Sequence, residues 1–212
     1  TSMHGELNQL IPSFVKRAQA NDYILGTAAA SKASARDALG TTPADFNEPV
    51  ALIDYDRNAE DKIIAAILYP HARNSLQQLR QITARMSAAE RRKILDEHFT
   101  NRRHRRDKPG RAFENVYYTF DIVGNLGLYR DLHRHRILTQ ERQEFTTVHG
   151  YDTPPELEDS DFKPDFDHCM ARAAELYEAI HRDLSCEAQY AVPFAYKIRW
   201  YMKMNLREAV HL

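Results

Sequence analysis

The densest potential chemistry in the chain is a run of alternating bases, His133-Arg134-His135-Arg136. Guanidinium forks grip carboxylate or phosphate oxygens in pairs, and imidazoles carry protons near neutral pH. Such a run therefore suits an anionic ligand. Read as a helix, it puts Arg130 and Arg134 on one face. Like charges so spaced cost a few tenths of a kcal/mol (roughly 0.2–0.5), which a bound anion relieves. The plain reading of the same residues is an exposed basic helix end that complements the helix dipole. A second basic run, Asn101–Arg111, carries Arg102, Arg103, Arg105, Arg106, Lys108 and Arg111 around His104 and Asp107. Runs of this kind are commonly solvated loops. The sharper reading is a phosphate site, with Pro109-Gly110 letting the backbone come close. No GxSxG, GxGxxG, Walker A or HExxH motif occurs, and no His, Cys and carboxylate spacing matches a zinc site, so a metal is not expected.

The elements that must hold these residues are mostly helical. Leu7–Gln19 carries apolar residues at helical spacing, and 26–49 is small, polar and turn-rich, with Ala28–Ala38 readable as a helix. Val50–Tyr55 reads as a short strand. Ala59–Met86 reads as one long amphipathic helix bent at Pro70. Ser87 and Glu90 form a capping-box signature that opens a further helix to about Phe99. Val116–Val123 is β-branched and aromatic, hence a strand, and helical periodicity resumes over Leu126–Thr139. An acidic linker, Tyr151–Pro164, leads to two helices, Phe166–Leu184 and Glu187–Leu212. The expectation is a helix-rich α+β chain, with a helical appendage over 1–49 and one domain over 50–212.

Composition sets limits on partners. The 212 residues carry 29 Lys+Arg against 30 Asp+Glu, for a formal charge of −1. Nucleic acid is therefore not implied, and no aromatics interleave the basic run as a stacking surface would require. No stretch approaches the length of apolar sequence that spans a bilayer, so no membrane association is expected. Without a recognisable leader, the expected location is cytoplasmic, where Cys169 and Cys186 would stay reduced as packing residues.

Together these motifs resemble the flavin-dependent thymidylate synthases. That family is marked by RHR, seven residues and a serine, after a strand of the form (F/L)EH…FTF.I. Here Phe113-Glu114-Asn115 and Thr119-Phe120-Asp121-Ile122 stand before Arg134-His135-Arg136. Glu187-Ala188-Gln189 with Pro193 is similar to the family's ExAR..LP segment, and Asn205-Leu206-Arg207 to its NxR. The resemblance implies an α+β fold with a small central antiparallel sheet. It also implies a homo-oligomer that holds FAD at subunit junctions. The implied reaction is reductive methylation of dUMP to dTMP with methylenetetrahydrofolate and NADPH. By position, Arg134, His135, Arg136, Glu114, Asn205 and Arg207 become flavin-side candidates, and Arg105, Arg106 and Arg111 become candidates for its diphosphate. Cationic donors near a flavin stabilise the anionic reduced ring.

The departures fall on the nucleotide side. Glu144 replaces the motif serine, Thr146 stands where an arginine is common, and Gln189 replaces the arginine of ExAR. Asn115 replaces the FEH histidine, and Asp131 a glutamine before RHR. Each change removes a donor or adds negative charge where a dianionic phosphate should sit. The expectation is a homologue whose dUMP side is altered, so that this domain alone is inactive. The alternatives are a non-catalytic structural or nucleotide-binding homologue that supports a complete site elsewhere, and an unrelated basic-loop RNA-binding module. The family continues beyond NxR, which makes the chain expected to be a piece, one half of a duplicated protein.

Overall fold

The computed structural model describes residues 2–16, 21–45 and 48–212. The chain divides into two compact units, Thr1–Phe46 and Asn47–Leu212. In the first, α1 (Met3–Leu10), α2 (Pro12–Val15) and α3 (Asp22–Leu39) follow one another. The helix expected over Leu7–Gln19 is broken at Ile11, before Pro12, and its end from Arg17 to Gln19 lies outside the described residues. α3 is capped by Asn21, whose Oδ1 accepts from the Ile24 amide at 3.2 Å.

The second unit is built on a four-stranded sheet in the order β1-β2-β4-β3, with every neighbouring pair antiparallel. Its strands are β1 (Val50–Tyr55), β2 (Tyr117–Asn125), β3 (Thr139–Arg142) and β4 (Lys197–Asn205). Between β1 and β2 lie α4 (Ala59–Leu68), α5 (Leu76–Thr83) and α6 (Ala88–Phe99). α7 (Leu126–Leu132) connects β2 to β3. α8 (Pro155–Glu158) and α9 (Lys163–His181) precede β4, and α10 (Leu206–Ala209) follows it.

Three further expectations about elements fail for identifiable reasons. The helix expected over Ala59–Met86 is two helices, because Pro70 sits in a 3₁₀ turn and Ser75 opens a new capping box with Gln78. The helix expected over Leu126–Thr139 ends at Leu132, and Thr139–Arg142 pairs with β4 as a polar edge strand. The last expected helix is replaced by a 3₁₀ turn, β4 and the short α10, and in β4 buried Ile198, Trp200, Met202 and Met204 alternate with residues facing the other way. A period of two over nine residues belongs to a strand. Cys169 and Cys186 are free and exposed, not packed in the core.

The buried face of β4 makes the core that matters for the site. Trp200 is 1% exposed and packs with Ile122, Leu126, Tyr129, Ile198, Met202 and Met204. Tyr129 of α7 meets Trp200 edge-on, with ring centres 5.4 Å apart. α7 is therefore pinned to the sheet. Burying each such side chain contributes about 1.5–3 kcal/mol. Gly124 lets this packing close: a Cβ there would lie 3.1 Å from Trp200 and 3.3 Å from Leu128. Gly124→Ala is expected to lose about 1–2 kcal/mol through overpacking, read as a lower urea midpoint.

Burial, with the Arg199 and Lys197 cations, holds the His149 imidazole below its ordinary value of 6.5. The folded state thus takes up this proton less readily than the unfolded chain. Stability from this group is present above the unfolded value and is lost as pH falls through the depressed folded one. His149→Gln should flatten that part of the pH profile of urea unfolding.

Candidate functional site

The arginine-histidine run lies on the turn between α7 and β3, not on a helix. Asn125 starts α7 by accepting from the Leu128 amide at 2.8 Å, and Leu132 ends it. The amides of Arg134 and His135 then close turns onto the carbonyls of Asp131 and Leu132. His133, Arg134, His135 and Arg136 line an open cleft of about 460 Å³ with Leu138 and Gln140.

The groups around this cleft differ in how they are held. A ring nitrogen of His135 lies 3.1 Å from Glu208 Oε1, and the Glu208 side chain is only 13% exposed. Arg134 approaches Asp131 at 3.5 Å, but both side chains are exposed and the pair contributes little. Among the described residues, Arg136 makes no ion pair or side-chain hydrogen bond and is exposed. Gln140 donates to the Leu132 carbonyl at 3.1 Å, which leaves its buried Oε1 without a donor. The cleft therefore offers two exposed guanidiniums, beside a Gln140 side chain whose buried Oε1 has no partner among the described residues.

A second cluster is tied to the first through α10. Asn205 caps this helix, accepting from the Glu208 amide at 2.9 Å. Arg207 donates to Glu114 at 2.8 Å and to the Pro109 carbonyl at 3.0 Å. Arg111 reaches the other Glu114 oxygen at 3.1 Å. Adjacent residues of one four-residue helix thus engage Glu114 and His135.

Of the residues singled out from sequence, Arg134, His135 and Arg136 share the cleft. Glu114 and Arg207 are paired with each other, and Asn205 serves as a cap. Arg105 and Arg106 lie on the exposed loop, while Arg111 lines a separate recess of about 380 Å³ with Ile67, Pro70 and His71. That loop is organised by Asp107, whose carboxylate accepts from the amides of Arg103 at 2.9 Å and His104 at 3.3 Å. The Arg103 amide contributes most to holding the Asp107 carboxyl below its usual range. Sequence reading missed Gln140 and Glu208. Neither carries a motif, although Glu208 directly follows the Asn-x-Arg triplet.

The altered positions have structural employment. Gln189 accepts from the Phe145 amide at 3.0 Å and donates to the Cys186 carbonyl at 3.3 Å. The Arg142 guanidinium stacks 3.9 Å above the Phe145 ring. Gln189 thus braces the segment after β3, where Glu144 is exposed and Thr146 is half-buried.

Residues 51–212 match the thymidylate synthase complementing protein family, Thy1. The chain belongs to that family. A UPF0159 protein of Chlamydia pneumoniae is 37% identical over 210 residues, covering 95% of this chain and 40% of its own length. A UPF0159 protein of Thermoplasma acidophilum is 37% identical over 168 residues, covering 77% of this chain and 34% of its own. The chain thus spans about 40% of the length of the curated relatives it matches most fully. Among solved structures, the Thy1 chain shares its fold with the UMP/dUMP methylase PolB of Streptomyces cacaoi, bound with 5-Br dUMP. The TM-score is 0.51 at 15% identity, over 77% of this chain and 74% of that one. A flavin-dependent thymidylate synthase, ThyX, of Helicobacter pylori complexed with FAD and dUMP matches with a TM-score of 0.47 at 18% identity, over 76% of this chain and 80% of that one.

Among the described residues, no helix of this Thy1 member is long and apolar enough to cross a membrane.

Proposed function

We propose that this chain is a flavin-dependent thymidylate synthase homologue that binds FAD along the Arg134–Arg136 turn. The observation that carries the reading is the cleft itself: two exposed guanidiniums beside the Gln140 side chain, whose buried Oε1 has no partner among the described residues. An unmet buried acceptor is costly, and a Gln140 side chain turned toward the cleft would take an imide N–H, which flavins and uracils both carry. Arg134 and Arg136 suit the phosphates or the anionic reduced ring. His135, fixed by Glu208, adds a further donor whose orientation is set before any ligand arrives. In the family reaction, bound flavin supplies the reducing equivalents that convert dUMP to dTMP, with methylenetetrahydrofolate and NADPH as co-substrates.

A cleft of this size, open on one side, covers only part of a dinucleotide, whereas cofactor sites bury most of their ligand. The remaining wall is assigned to a second copy in a homo-oligomer, or to the further length that the relatives possess. Glu144, Thr146 and Gln189 make the dUMP phosphate side deficient, so this domain alone is expected to be inactive. Gln189's bracing role favours a second reading, a structural homologue whose substitutions serve packing.

A fluorescence titration separates the two. The flavin reading expects FAD to bind at least tenfold tighter than riboflavin, which lacks the phosphates that Arg134 and Arg136 would engage. Equal or absent binding of the two contradicts it.

A further inference from the structure

We propose that His135, Glu208 and His211 form a mononuclear site for a divalent transition-metal ion of the zinc or cobalt class. One ligand atom from each residue lies within 4.8 Å of the other two. The His135 nitrogen and Glu208 Oε1 are already 3.1 Å apart. Ligands on one tetrahedral ion, bonded at about 2.0–2.2 Å, sit about 3.3 Å from each other. Two of the three are thus at coordination spacing, and the third needs only a short approach. His211 can make it, being exposed, with its ring 5.9 Å from that of His135 and steeply inclined to it.

The donor set selects the metal. Two imidazoles and one carboxylate suit zinc, cobalt or nickel, whereas magnesium and calcium want oxygen alone. Three protein ligands leave a position open for water or another ligand. Glu208 is held before metal arrives: its side chain is mostly buried, and its amide is bonded to the Asn205 cap. The inference does not rest on the flavin reading, although both use His135.

Lys108 opposes the metal. Its Nζ lies 3.1 Å from His211 Nδ1, placing an ammonium where the metal's charge would come. Binding must displace that contact, which sets the expected affinity in the micromolar range. The set was not legible in the sequence because His135 lies 73 residues from Glu208.

The test is titration of the chelator-treated 212-residue chain with Co²⁺, followed by its visible ligand-field bands, in the absence of flavin. The expected result is one equivalent bound with intense tetrahedral bands. Affinity should fall at least tenfold in Glu208→Gln and in His211→Ala, and rise in Lys108→Met. The rise in Lys108→Met is a response that scattered surface histidines would not give. His211 is exposed, so its removal spares the core and keeps the test decisive should Glu208→Gln misfold. Absence of the bands, or binding that His211→Ala leaves unchanged, overturns the proposal.

Discussion

Replacing Arg134 and Arg136 together by alanine is expected to abolish FAD retention while leaving the fold intact. Neither side chain is part of the core, and Arg134's pairing with Asp131 at 3.5 Å is between exposed groups. Thermal stability should therefore move little. The ligand loses two charge-assisted contacts, each contributing about 1.5–3 kcal/mol. Together that is roughly a hundredfold to ten-thousandfold in affinity. The readout is the flavin-to-protein ratio after gel filtration of FAD-loaded protein. An unchanged ratio in the double variant would mean that the cofactor, if bound, lies elsewhere.

The second large effect is a gain. Glu144→Ser with Thr146→Arg should strengthen dUMP binding by roughly fiftyfold or more. Removing a carboxylate near a phosphate relieves about 1 kcal/mol of repulsion even at water's dielectric. An added guanidinium contributes about 1.5–3 kcal/mol more. Restoring arginine at Gln189 is the obvious third change from sequence, but the structure argues against it. Gln189 Oε1 receives the Phe145 amide at 3.0 Å, and an arginine offers no acceptor in its place. Calorimetry with dUMP checks the double variant. No gain would refute the account of a phosphate site weakened by these two residues.

The parts of the fold legible in the sequence were those governed by local rules. Val50–Tyr55 is a strand with the expected bounds, and Ser87 with Glu90 forms the expected capping box. Two of the misses share a cause: for the segments after Leu132 and after Pro193, pairing partners distant in sequence decide the structure. Thr139–Arg142 has no apolar alternation of its own and becomes a strand only by lying against β4. In β4 the alternation was present, but Tyr201 beside Trp200 and the apolar residues further along imitate a helical stripe. The site divides in the same way. Arg134, His135 and Arg136 stand out as a contiguous motif. Glu208 and Gln140 act on the same cleft only because α10 and β3 bring them there. Arg105 and Arg106 lie on the exposed loop that Asp107 folds around its amides, and Glu114 engages Arg111.

Whether the proposed flavin site takes up cofactor is a question that colour answers. The most direct measurement is the visible absorption spectrum of the purified protein after incubation with FAD and removal of excess by gel filtration. Oxidised-flavin bands that co-elute with the protein at a fixed stoichiometry are the predicted result. A colourless protein peak, with all the flavin in the small-molecule fractions, would contradict it.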